Sequence, residues 1–150
     1  MGNLLANYLG DIFKDYFLVS IMVNFREFTI SSGLKIFGGR DAENNDKLVW
    51  EADKNDILLH TNAPGSPFVN IGINPAKKDI KESSVFCAKY SQDWRDSKSD
   101  VIVNKFLRNN MNKEKKMKAG SWSVSKQESI KVKKGDILKL EKELDKNETN

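Results

Sequence analysis

Short apolar runs, cut apart by turn residues, constrain this chain to a sheet whose strands turn back on their neighbours. Phe25 to Ile30 alternates, with Phe25, Glu27 and Thr29 on one face and Arg26, Phe28 and Ile30 on the other. Ser31-Ser32-Gly33 is a turn signal, and Leu34 to Phe37 resumes extended chain, so the two runs predict a hairpin that Gly38-Gly39 ends. Ile57-Leu58-Leu59 reads as a short buried strand, and Phe68 to Ile73 as another that Asn74-Pro75 breaks. Asp100 to Leu107, Trp122 to Lys126 and Ile130 to Lys133 follow, with a last segment at Ile137 to Leu140. Asp41 is an N-cap for a helix through Ala52. Asp79-Ile80-Lys81-Glu82 has capping-box spacing, predicting a helix to Trp94 whose buried face carries Ile80, Ser84, Cys87, Ala88 and Ser91. About seven strands with two helices, not strictly alternating, predict an α+β fold: one domain, mostly antiparallel sheet packed with two helices, plus an N-terminal amphipathic helix.

Bulk properties agree with one soluble domain. A chain of 150 residues buries roughly two-thirds of its unfolded surface, enough for a core without staples. There is no internal repeat and no linker long enough to divide it. Hydrophobic content of 39% and charged content of 31% exclude disorder. The net charge of +4 leans toward phosphate-bearing partners. The single Cys87 excludes an internal disulfide and a multi-cysteine zinc site, and its small neighbours predict a buried packing role. No cofactor and no metal motif is expected. A reducing cytoplasm fits these features.

Residues 1–23 form a segment of their own. Leu5, Tyr8, Leu9, Ile12, Phe13, Tyr16 and Phe17 recur at helical spacing, with Asp11, Lys14 and Asp15 on or near the other face. The interrupting charges argue against a secretory signal and a membrane span. Met1-Gly2 matches the start of a myristoylation signal, but Ala6 stands where Ser or Thr is needed. Three readings stay open: a helix packed on the domain, a helix that binds a protein partner or membrane surface, or an upstream extension. The charged tail from Glu141, residues 141–150, is expected to fray.

Chemistry-bearing residues concentrate in two places. In Gly38-Gly39-Arg40-Asp41-Ala42-Glu43-Asn44-Asn45-Asp46, glycines allow close backbone approach, a helix N-terminus follows, and Arg40 could grip a phosphate through two donors. The alternative is a plain turn in which Arg40 and Asp41 satisfy each other. No Walker lysine follows, which excludes P-loop hydrolysis. The only histidine, His60, precedes the loop Ala63-Pro64-Gly65-Ser66-Pro67, and Ser66 lacks a nucleophile elbow. His60 is either a structural residue or, with Asp41 or Asp46, the base of a small hydrolase acting on nucleic acid. The basic run Lys105, Arg108, Lys113, Lys115, Lys116 and Lys118, bracketed by Trp94 and Trp122, suits a nucleic-acid surface. It suits a solvated loop equally well.

Taken in order, Phe25 to Gly33, Gly38 to Asp46, Asp56-Ile-Leu-Leu-His60, Gly65-Ser-Pro-Phe-Val69, Ala88-Lys-Tyr-Ser91 with Trp94, and Gly120-Ser-Trp122 resemble the NFACT-R domain, the RNA-binding module of NFACT proteins. The resemblance covers residues 24–140. It implies a non-catalytic RNA-binding module linked to ribosome-associated quality control, with rRNA or tRNA and the large ribosomal subunit as partners. At this length the resemblance implies a stand-alone module, without the tRNA-handling region and coiled-coil arms of the longer proteins. By motif position, Gly39, Arg40, Asp41, Asn45, Asp46, His60, Gly65 and Ser66 would carry the signature surface. Lys113, Lys115, Lys116 and Lys118 would add a general positive field. An adaptor acting through the N-terminal helix is the remaining alternative.

Overall fold

The computed structural model of the protein describes residues 25–149, so the predicted N-terminal amphipathic helix lies outside the described residues. The hairpin forms as its turn chemistry requires. Strands β1 (Arg26–Thr29) and β2 (Lys35–Gly38) pair antiparallel, with Phe28 opposite Ile36. Strands β3 (Ile57–Thr61), β4 (Val69–Asn70), β5 (Val101–Leu107) and β8 (Glu128–Val132) complete a six-stranded sheet in the order β1-β2-β4-β3-β5-β8, antiparallel throughout. Two further short strands, β6 (Met111–Asn112) and β7 (Ser123–Val124), make a separate ribbon across the basic segment.

Period-two side chains divide the core between the two faces of this sheet. Ile36, Leu59, Val69, Val101, Val103 and Val132 point to one face. There they meet Phe86, Cys87 and Ala88 of helix α2 (Lys77–Lys89), Trp94 of the short helix α3 (Gln92–Ser97), and Ile137 and Leu140 of helix α4 (Lys134–Thr149). Phe37, Leu58, Phe68 and Phe106 point the other way, onto Leu48 and Val49 of helix α1 (Ala42–Glu51) and onto Trp122 and Val124 of the ribbon. Each fully buried Val, Leu, Ile or Phe among these contributes about 1.5–3 kcal/mol relative to exposure, so both layers are needed. The fold is α+β, as the sequence predicts, with four helices among the described residues rather than two.

Three local differences have physical causes. The predicted single helix over residues 79–94 starts earlier and splits. Asp79 sits at its third position and its Oδ2 accepts from the Ala76 backbone N–H at 3.2 Å, so the capping residue closes the turn from inside the helix. The break falls at Tyr90-Ser91, where the Ser91 hydroxyl accepts from the Trp94 N–H at 3.1 Å and starts α3. The last segment is helical and continues through the charged tail to Thr149. That end is anchored where Glu141 accepts from Trp94 Nε1 at 2.9 Å and Leu144 packs on the core. Among the described residues, no helix is long and apolar enough to cross a membrane.

Candidate nucleic-acid interface

The face carrying α1 is covered only in part. Between the start of α1, the loop after β3, α3 and the ribbon lies a cleft of about 710 Å³. Its walls bring together Arg26, Arg40, His60, Phe68, Arg95 and Trp122 from five different stretches of chain.

The Gly38–Asp46 segment builds one wall. Asp41 caps α1 by accepting from the Asn44 N–H at 2.8 Å, and Asn44 Oδ1 accepts from the Arg40 N–H at 2.9 Å. Asp41 is thereby committed to the helix rather than to Arg40. The Arg40 side chain is exposed and makes no hydrogen bond or ion pair among the described residues. Asn45 is a buried peg between α1 and the neighbouring loop. Its Oδ1 accepts from the Phe68 N–H at 3.0 Å and its Nδ2 donates to the Ser66 carbonyl at 3.3 Å. Gly39 must be glycine here, because a Cβ would stand 1.8 Å from Asn45 Oδ1. Asp46 faces the ribbon, where its Oδ1 accepts from Lys113 Nζ at 3.2 Å, Gly120 N–H at 3.0 Å and Trp122 Nε1 at 2.9 Å.

The loop after β3 builds the floor. Ser66 is buried, and its hydroxyl accepts from the Thr61 N–H at 3.1 Å and donates to the Pro67 carbonyl at 2.8 Å. Gly65 takes φ +84° and its carbonyl accepts from the Gln92 N–H at 2.7 Å, which ties the loop to α3. His60 Nδ1 lies 2.7 Å from the Thr61 carbonyl and donates to it, leaving Nε2 as the acceptor. The imidazole packs on Phe68 at 4.5 Å between ring centres, and burial pushes its pKa down against that backbone hydrogen bond. No hydrogen bond joins His60 to Asp41 or Asp46, so the pairings of the hydrolase reading are not formed. Cys87 is fully buried against Ser66, and burial raises its thiol to about 12, as an inert packing residue requires.

On the cationic side of the cleft, Arg40 is joined by Arg26 and Arg95, which were not among the predicted site residues. Arg26 donates to the Gly39 carbonyl and stacks its guanidinium 4.6 Å from the Tyr90 ring. Arg95 donates to the Gln92 side chain and the Tyr90 carbonyl. Burial lowers the pKa of Arg26 most; Tyr90 opposes that, and the like charges of Arg40 and Arg95 lower it further. None of the three arginines ion-pairs with a carboxylate among the described residues. Three guanidinium groups that repel one another around one opening form a site suited to an anion.

Of the four predicted lysines, Lys113 belongs to the fold. Its ammonium is held by Asp46 and by the carbonyls of Lys118 and Ser121, both at 2.9 Å. Lys115, Lys116 and Lys118 are exposed on the same loop. Trp94 is buried at 1% exposure and cannot stack on a ligand, whereas Trp122 lines the cleft. Arg26 and Tyr90 stand within quoted motifs but were not assigned to the site, and Arg95 was not named, because nothing local links a residue of β1 to Tyr90 and α3. Among the described residues no cluster of His, Cys, Asp and Glu is placed to hold a metal.

Comparison with known proteins agrees with this architecture. The C-terminal part of the fibronectin/fibrinogen-binding protein from Streptococcus suis has a similar fold, with a TM-score of 0.67 at 20% sequence identity. The match covers 73% of this chain and 45% of that one, so the chain spans under half of that structure. No match was found among curated protein sequences. The NFACT protein RNA binding domain family, which is not a catalytic family, matches residues 24–126. That span contains the glycine turn, His60, the cleft arginines and the ribbon, and the chain belongs to the NFACT RNA-binding domain family.

Proposed function

We propose that the protein is a non-catalytic RNA-binding module whose cleft receives the RNA backbone. The observation that carries this reading is the set of Arg26, Arg40 and Arg95 around one opening without a carboxylate ion pair. Arg40 is the direct contact: its side chain is exposed and uncommitted. Arg95 adds a second contact, and Arg26 supplies field while holding the Gly39 carbonyl. A phosphate seated there meets charge-assisted donors. His60 and Trp122 offer ring surface to a base beyond it, and Lys115, Lys116 and Lys118 attract the strand from a distance. Gly39, Asp41, Asn45, Asp46, Gly65, Ser66 and Lys113 act one step back, by fixing the shape of the walls.

The RNA is ribosomal or transfer RNA, and the module works in the cytoplasm with the large ribosomal subunit in ribosome-associated quality control. Family membership supports this reading. Crosslinking in cells followed by sequencing of the bound RNA tests the assignment. Enrichment of rRNA or tRNA that disappears in Arg40→Ala with Arg95→Ala is expected; recovery of neither RNA above background would overturn it.

A further inference from the structure

Trp50 is 59% exposed, the most exposed of the large apolar residues described. It lies on α1 but off the buried stripe of Asn45, Leu48 and Val49, so the packing of the helix does not account for it. Its ring meets Trp122 at 4.9 Å between centres with an interplanar angle of 66°. Trp122 in turn lines the cleft. The two indoles therefore form a continuous aromatic ledge leading from the cleft onto the outer face of α1.

Cations border the ledge. The Arg108 guanidinium lies 5.1 Å from the Trp122 ring and 5.7 Å from the Trp50 ring, and Lys113 Nζ lies 5.2 Å from Trp122. Arg108 is fixed there because its Nε donates to the Val49 carbonyl at 2.7 Å. Lys47 stands one helical turn before Trp50 on the same side of α1. A hydrophobic protein partner would call for a broad apolar patch, but the surroundings of Trp50 are charged. A flat ring carried on an anionic backbone matches an exposed indole flanked by cations.

We infer that Trp50 is a stacking platform for an unpaired RNA base, continuing the RNA path from the cleft across Trp122. The inference rests on the RNA-binding reading proposed above. It goes further in choosing single-stranded over duplex RNA, because paired bases keep their faces inside the helix. Affinities for a single strand of about ten adenylates, a length typical of such sites, and for an RNA duplex of the same length test it. The wild type, Trp50→Ala, Trp50→Phe and Arg40→Ala are compared at one salt concentration.

Trp50→Ala is expected to weaken single-strand binding by about tenfold, the order of one lost stack. Trp50→Phe should keep most of the affinity, and neither change should alter duplex binding. Wild-type single-strand affinity in Trp50→Ala, alongside weakened binding in Arg40→Ala, would overturn the platform and leave the RNA-binding reading standing. An equal loss on both RNAs would also overturn it, since that marks a general effect. A wild type that binds neither RNA would refute the underlying reading, and the platform with it.

Discussion

Replacing Gly39 by alanine should unfasten the wall of the cleft from within. The added Cβ would stand 1.8 Å from Asn45 Oδ1 and 2.7 Å from its Cγ, so the Asn45 side chain must leave. When it leaves, the Phe68 N–H and the Ser66 carbonyl lose their partners in the interior. Two unpaired buried groups at about 1–3 kcal/mol each put the loss at about 2–6 kcal/mol. Against a typical stability of about 5–15 kcal/mol, that is a large fraction. Asn45→Ala alone removes the same two hydrogen bonds, and it also removes the atoms that Cβ would strike. What then remains is a 3.1 Å approach to the Asn45 Cα, which a small backbone shift relieves. The double variant should therefore cost within about 1 kcal/mol of Asn45→Ala alone, a strong departure from additivity. Urea denaturation of the four proteins measures this directly, with an unchanged slope confirming that only stability moved. Additive losses in the double variant, or a Gly39→Ala protein as stable as wild type, would refute the account of this wall.

Two further predictions concern buried groups. His60 is the only histidine in the chain, and burial lowers its pKa in the folded protein. The unfolded chain then binds the proton more readily, so stability is unaffected well above about pH 6.5 and falls as the pH drops through and below that value. His60→Gln should flatten this part of the stability profile when urea midpoints are compared between neutral and mildly acid buffer; an unchanged profile would count against it. Cys87, raised to about 12 and fully buried, should resist alkylation by iodoacetamide at mildly alkaline pH until the protein is unfolded. Mass spectrometry of native and denatured samples reads this, and rapid labelling of the native protein would contradict it.

Much of the fold was legible because its signals are local. The Ser31-Ser32-Gly33 turn, the alternation in β1 and the Asp41 cap each lie within a few residues of what they determine. The antiparallel sheet followed from strands and helices that do not strictly alternate along the chain. The split at Tyr90-Ser91 was hidden because apolar periodicity runs through it, while the hydroxyl of Ser91 restarts the helix. The helical tail was hidden because Glu141 looks like a solvated charge until Trp94 is placed 47 positions away in sequence. The same limit governs the site. Gly39, Arg40 and His60 were visible as motif residues, but the commitment of Lys113 to Asp46 spans 67 positions. Arg26 and Arg95 reach the cleft from β1 and α3, which are far apart in sequence. Trp50 carried one usable sign: it follows Val49 directly, and a step of roughly 100° turns it off the buried stripe.

The central claim is that the arginine-lined cleft binds RNA. The most direct measurement is the affinity of wild type, Arg40→Ala and Arg95→Ala for a single-stranded RNA across a range of salt. Each replacement is expected to weaken binding and to lower the slope of log affinity against log salt by about 0.7, the value for one lost phosphate contact on a single strand. Folded variants that both keep wild-type affinity and slope would contradict it.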